Sequence, residues 1–209
     1  AFASQERREP ITMNVESKKA SYGSTAYYVV AEAQTTGLLA SLYTLYYKAD
    51  TLIDAFTLLP QRGSVYSREG RRQRNKITLF NHPAKKAVFE MQTASKMMKD
   101  VTLAALTQDI LSAMYVLRAI NPRPGDRLEI PVSDSGWMYK VTFVVGATEA
   151  VKKANGTAVQ ALRVTPQVVD EKGQHVAEGF VFWLSNDAVF TPVRMEGTLA
   201  AGRIVLALK

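Results

Sequence analysis

The sequence predicts a mainly β protein: a curved antiparallel meander forming an open or closed barrel, with one central α-helix packed against it. Three observations carry this. Segments rich in Val, Tyr, Phe and Thr recur at strand length. Tight-turn residues separate them at near-regular spacing, the pattern of a meander that closes into a barrel or curls over a helix. One segment alone departs from alternation and shows helical spacing.

Taken in order, "TAYYVVAEA" (Thr25–Ala33) is dense in β-branched and aromatic residues, and "SLYTLYYKA" (Ser41–Ala49) alternates Leu42, Thr44 and Tyr46 with Tyr43, Leu45 and Tyr47. A short helical turn over Gly37–Leu42 is a weaker alternative at the start of that segment. "KITLFN" and "HPAKKAVFEM" form a hairpin bent at Asn81-His82-Pro83, because proline presets φ and lacks a donor. "DRLEIPVS" and "GWMYKVTFVVG" flank the turn Asp134-Ser135-Gly136; "EAVKKAN" and "TAVQALRVTPQVV" flank Asn155-Gly156, the strongest short hairpin signal. "HVAEGFVFWLS", "AVFTPVRMEGTL" and "RIVLALK" complete the strands.

The helical segment runs from Leu103 to Ile120. Leu103, Leu106, Ile110, Met114 and Leu117 recur on one face, Thr107 or Asp109 can cap it, and Asn121-Pro122 ends it. Such a face must be buried, and a concave sheet is its natural partner. Residues 11–209 are expected to form one domain behind a flexible segment, residues 1–10.

Composition sets limits. A chain of 209 residues buries roughly 70% of its unfolded surface and needs no staples. No cysteine is present, which excludes disulfides, thiolate chemistry and cysteine-bound metals. No apolar run approaches the length of a transmembrane helix. The opening Ala1-Phe2-Ala3 has the small-x-small form found before a signal-peptidase cut, a hint of export. The net charge is +7, and Arg62–Lys76 holds six basic residues against Glu69 alone. The basicity is therefore local, and local charge is what recruits a partner.

"TQDILSAMYVLRAI" and "FWLSNDAVFTPVRME" resemble the DUF3108 family, bacterial exported proteins with a domain of unknown function. The resemblance rests on Gln108, Asp109, Ser112, Tyr115 and Arg118, then on Trp183, Leu184, Ser185, Asp187, Pro192 and Val193. "TLLP" (Thr57–Pro60) before a basic strand and Leu79-Phe80-Asn81 at a strand end fit the same pattern, so it spans the chain from about Tyr27. It implies a secreted or periplasmic, mostly antiparallel β protein similar to open-barrel envelope proteins, and it implies no reaction.

Four groups of residues are candidates for function. Asp109, Ser112 and Arg118, with Trp183, could rim a cavity; equally, Asp109 and Arg118 could serve the two ends of the helix dipole. A hydrolase built on Asp109, Ser112 and Arg118 ranks lowest, since no histidine lies near Ser112. His82 and His175 stand singly in turns and do not make a metal site; no cofactor is expected. Tyr27, Tyr28, Tyr43, Tyr46, Tyr47, Phe180, Phe182 and Trp183 either fill the core or line a cavity for an acyl chain or sugar.

The fourth group is the basic strip "SREGRRQRNKITLF", with Arg68, Arg71, Arg72, Arg74 and Lys76 as candidate contacts. Alternation puts Arg72, Arg74, Lys76, Thr78 and Phe80 on one face, giving a strand with an apolar root and a charged tip. It lacks the aromatic platform or recognition helix of a nucleic-acid binder. An anionic envelope polysaccharide, a lipid headgroup or an acidic protein surface suits it better. The alternative is a solvated edge whose arginines prevent aggregation. The expectation is a periplasmic, non-enzymatic binding protein, with a structural subunit of an envelope assembly as the rival.

Overall fold

The computed structural model describes residues 8–19, 24–34, 45–93, 96–177, 179–199 and 202–208. Seven strands precede the helix: β1 (Arg8–Lys19), β2 (Thr25–Gln34), β3 (Leu45–Asp54), β4 (Pro60–Glu69), β5 (Arg72–Asn81), β6 (Lys86–Gln92) and β7 (Lys96–Thr102). Helix α1 (Ile110–Ala119) follows. Then come β8 (Arg127–Asp134), β9 (Trp137–Lys152), β10 (Ala158–Asp170), β11 (His175–Ala177), β12 (Val181–Ser185), β13 (Pro192–Leu199) and β14 (Gly202–Leu208).

The strands make two antiparallel meanders, one on each side of the helix in sequence. A short parallel pairing of Arg8–Ile11 with Val205–Leu208 joins them, so the spatial order runs β7 through β1 to β14 and on to β8. Strands β7 and β8 end the order and do not pair with each other, so the sheet stays open. Among the described residues, the expected mainly β fold with one helix is what forms. Strand β1 begins at Arg8, three residues inside the segment expected to be flexible, and the helical turn expected at Gly37–Leu42 lies outside the described residues.

The predicted turns follow their chemistry. Ser135 and Gly136 have φ of +50° and +80°, and they sit between the paired Asp134 and Trp137. Positive φ at both central positions is the primed turn whose twist matches a hairpin. Space also demands glycine here, because a Cβ on Gly136 would lie 2.9 Å from Cδ1 of Phe89 on the other meander.

The helix is a wedge between the meanders. Leu111 and Tyr115 pack toward Val29, Ala31, Ala49 and Ile53 of β2 and β3. Ala113 and Leu117 enter the larger core, with Val132, Phe143, Leu162, Phe182 and Leu184 among their partners. Leu117 has no exposed surface.

The helix is shorter than Leu103–Ile120 at its start. Leu106 has φ of +59°, incompatible with a helix, and Leu103 instead packs with Phe80, Ala87 and Val101. Leu103 N–H donates to the Lys85 carbonyl (2.9 Å), so the first apolar residue of the pattern belongs to the sheet core, while Leu106 is exposed. Gln108 is held as an extended bridge beside Val132: its N–H donates to the Pro131 carbonyl and its own carbonyl accepts from Ser133 N–H, both at 2.8 Å. Only then does Asp109 start the helix.

Asp109 and Ser112 form a reciprocal capping box. Asp109 Oδ1 accepts from Ser112 N–H (2.7 Å), and Ser112 Oγ accepts from Asp109 N–H (2.9 Å). The other carboxylate oxygen accepts from the hydroxyl of Thr51 on β3. Gly63, on β4 beside Thr51, leaves room for this contact; a Cβ there would lie 2.9 Å from Asp109 Oδ2. Because that oxygen is tied to Thr51 and the carboxylate to the helix, it has little freedom to yield. Gly63→Ala is expected to destabilise the protein by about 1–3 kcal/mol, as overpacking does, measured by urea unfolding. An unchanged midpoint would show that the carboxylate moves freely.

Candidate functional site

Two features stand out among the described residues once the core is accounted for: a basic hairpin and an apolar cavity. The hairpin joins β4 to β5 through Gly70 and Arg71, with Glu69 and Arg72 as its last pair. Gly70 has φ of +58°, at the first of the two loop positions, where a type II′ turn wants glycine. Thr78 and Phe80 are buried, so Lys76, Arg74 and Arg72 project from the same concave face toward the helix side. Arg68 lies on the opposite face, paired with Gln73, and Arg71 sits in the turn.

The charges differ in how they are held. Arg62, nearer the root, pairs with Asp50 at 3.0 Å. Lys76 donates to Ser135 Oγ (2.8 Å), which donates in turn to Asp134 (2.9 Å) on the other meander. Arg68, Arg71, Arg72 and Arg74 form no ion pair with any carboxylate of the described residues. Glu69, the acid among them, accepts from the Tyr47 hydroxyl at 2.8 Å; burial first, and then this contact, raises the Tyr47 pKa.

The cavity lies between helix α1 and the concave face of the second meander. It encloses about 430 Å³. Ile110, Ala113 and Met114 form its helix wall; Val141, Phe143 and Val168 are part of the sheet wall. Phe180, Val176 and Ile110 are partly exposed around its opening, and Asp134 and Tyr139 supply its polar end. Sequence reasoning singled out Phe180 and Phe182 as cavity or core aromatics; Phe182 is both, meeting Phe143 edge-on at 5.9 Å. The aliphatic wall went unseen, since each residue reads as ordinary core.

The residues proposed to rim a cavity are not brought together. Ser112 has no exposed surface and its hydroxyl is engaged in the capping box. Arg118, at the far end of the helix, donates through Nε and Nη2 to the Val189 carbonyl (3.2 and 3.0 Å) and lies 4.6 Å over the Tyr115 ring. Trp183 alternates with Phe182 and Leu184, which face the helix core, so it points to the other side of the sheet. There its indole N–H donates to Glu149, and Arg194 stands 5.8 Å from the ring. His82 Nε2 lies 2.9 Å from the Pro60 carbonyl, and its ring stacks on Phe80. No cluster of three His, Cys, Asp or Glu side chains suited to a metal occurs among the described residues.

The Ser185-Asn186-Asp187 segment has a matching structural task. Asp187 Oδ1 accepts from Val189 and Phe190 N–H, and the first of these is the main cause of its lowered pKa. That loop presents the Val189 carbonyl to Arg118 and turns Phe190 into the core. The motif residues of the helix and of the β12–β13 loop thus meet at one bond pair.

These features define a class: an open, barrel-like antiparallel β protein with a helix wedged in its mouth. The chain belongs to the family described as "Protein of unknown function (DUF3108)", whose model matches residues 9–209. Its fold is similar to that in the crystal structure of a beta-barrel-like protein of domain of unknown function DUF1849 from Brucella abortus. The TM-score is 0.55 and the identity 14%, over 92% of this chain and 82% of that one. None of the curated proteins compared with it matches. No helix among the described residues is long and apolar enough to cross a membrane.

Asp109 carries the clearest electrostatic consequence. Its enclosure raises its pKa above the usual 3.8, against the opposing pull of the Ser112 and Thr51 hydrogen bonds. A folded-state pKa above the unfolded one means the native state holds the proton longer. The contribution is then fully present below the unfolded value and is lost as pH rises through the folded value. Asn is nearly as good an N-cap and does not titrate. The stability of the wild type relative to Asp109→Asn is therefore expected to fall as pH rises from about 4; urea titrations across the acid range measure this, and a flat or rising difference contradicts it.

Proposed function

We propose that the protein is a non-enzymatic, periplasmic binding protein of the cell envelope, and that the β4–β5 hairpin is its contact with an anionic partner. The observation that carries this reading is the set of four arginines at one hairpin tip without carboxylate partners among the described residues, beside an Arg62 that has one. Like charges gathered in this way repel one another, and an anion relieves that repulsion while arginine offers it paired N–H donors. The tip contributes nothing to the buried core, so its charge is free for recognition. A polysaccharide carboxylate, a lipid phosphate and an acidic protein surface all present this chemistry.

The absence of enzymatic activity is part of the same proposal. It is supported by the use of Asp109, Ser112 and Arg118 in holding the helix rather than in an accessible cluster. Periplasmic placement is supported by what the family resemblance implies.

The test replaces Arg71, Arg72 and Arg74 with serine and retains Lys76, because Lys76 contacts Ser135. Cosedimentation with vesicles of phosphatidylglycerol and phosphatidylethanolamine, and binding to lipopolysaccharide, are measured at low and high salt. Each arginine near an anionic surface is worth about 1 kcal/mol, so the triple variant should bind roughly 100-fold more weakly at low salt. It should also lose most of the wild-type salt dependence. Binding equal to wild type on every anionic target would overturn the proposal.

A further inference from the structure

We infer that the cavity beneath helix α1 holds the acyl chain of a single-chain anionic amphiphile, with the headgroup turned toward Lys76, Arg74 and Arg72. The headgroup half rests on the function proposed above; the chain half rests on the cavity alone. A volume of about 430 Å³ lies within the range of roughly 300–1,000 Å³ typical of small-molecule sites. The walls are almost wholly apolar, and such a space stays dry or takes an apolar guest. Its opening is bordered by Ile110 at 57% exposure and Phe180 at 37%, apolar surface left uncovered where a chain would enter.

Polarity at the opening gives the ligand a direction. Asp134 is the link: it lines the cavity and accepts from Ser135, which accepts from Lys76. The basic hairpin therefore reaches the polar end of the cavity through Ser135. Tyr139 lies at the same end, where the charges of Asp134, Asp170 and Glu171 all reach its hydroxyl. The acids and the cations are not equally available. Asp134 is bonded to Ser135, and Asp170 already accepts from Lys172 and Gln174 N–H. Among the described residues Arg72 and Arg74 have no such partner. An anionic head is drawn to the arginines of the hairpin and repelled by the carboxylates of Asp134, Asp170 and Glu171.

The experiment uses the purified full chain, an environment-sensitive fluorescent fatty acid, and displacement by palmitic acid, the alcohol of the same chain length and the corresponding amine. Saturable binding is expected, with the acid displacing about tenfold better than the alcohol and the amine worst. Val176→Trp blocks the opening at an exposed position, and Val168→Trp fills the interior; both should abolish binding while circular dichroism stays that of the wild type. Arg72→Ser with Arg74→Ser should make acid and alcohol equal. Absence of saturable binding, or binding unchanged in both tryptophan variants, overturns the inference. So does an amine that displaces best, or an acid preference that survives the arginine replacements. A chain that binds no fatty acid but loses vesicle binding on hairpin mutation would refute the cavity ligand and leave the hairpin contact standing.

Discussion

The structure depends on burying the first turn of a helix between two sheets. A helix start leaves backbone N–H groups without partners, and away from water each must be satisfied. Asp109 meets that demand with one carboxylate oxygen and spends the other on Thr51 of the first meander. The residue before it, Gln108, is stitched by backbone bonds to β8 of the second. Two neighbouring residues thus hold a helix to both sheets. The open sheet order places no strand pairing between β7 and β8, so this clasp and the apolar faces of the helix carry much of the contact across that gap.

Further consequences follow from the position of the wedge. Fixing Ile110 at the start of the helix sets one wall of the cavity, and the sheet wall opposite it curves away toward Phe180. Once the meanders are held at this separation, the β8–β9 turn meets the β5–β7 face. Gly136 comes against Phe89, Lys99 lies over the Trp137 ring, and Lys76 reaches Ser135. The hairpin and the cavity are neighbours because the clasp makes them so.

Local chemistry was legible in the sequence, and long-range pairing was not. Asp134-Ser135-Gly136 and Asn155-Gly156 announce turns because φ > 0 restricts which residues fit. The β5 alternation put Arg72, Arg74, Lys76, Thr78 and Phe80 on one face, as they are. The start of the helix was misplaced because Leu103 and Leu106 happen to continue the helical spacing of Ile110, Met114 and Leu117. Their real environments, a sheet core for one and solvent for the other, depend on tertiary contacts. The parallel pairing of β1 with β14 joins opposite ends of the chain and leaves no local mark. A cavity is likewise a shortage of atoms between elements, which composition cannot register. Trp183 is different: it was expected at the cavity rim, although its alternation with Phe182 and Leu184 sends it to the opposite face.

The motif residues and the candidate site therefore do different work. Asp109 and Ser112 cap the helix, Arg118 ties its far end to Val189, and Asp187 shapes the loop that offers that carbonyl. All of them maintain a scaffold, which is why the family resemblance speaks to architecture and not to a reaction. The arginines of the hairpin tip and the aliphatic wall of the cavity fall outside those motifs. A change at Arg74 or Val168 can alter charge or volume without touching the capping box or the Arg118 contact. On the proposed reading, chemistry is set separately from the scaffold, at a charged tip and an apolar space that Lys76, Ser135 and Asp134 connect.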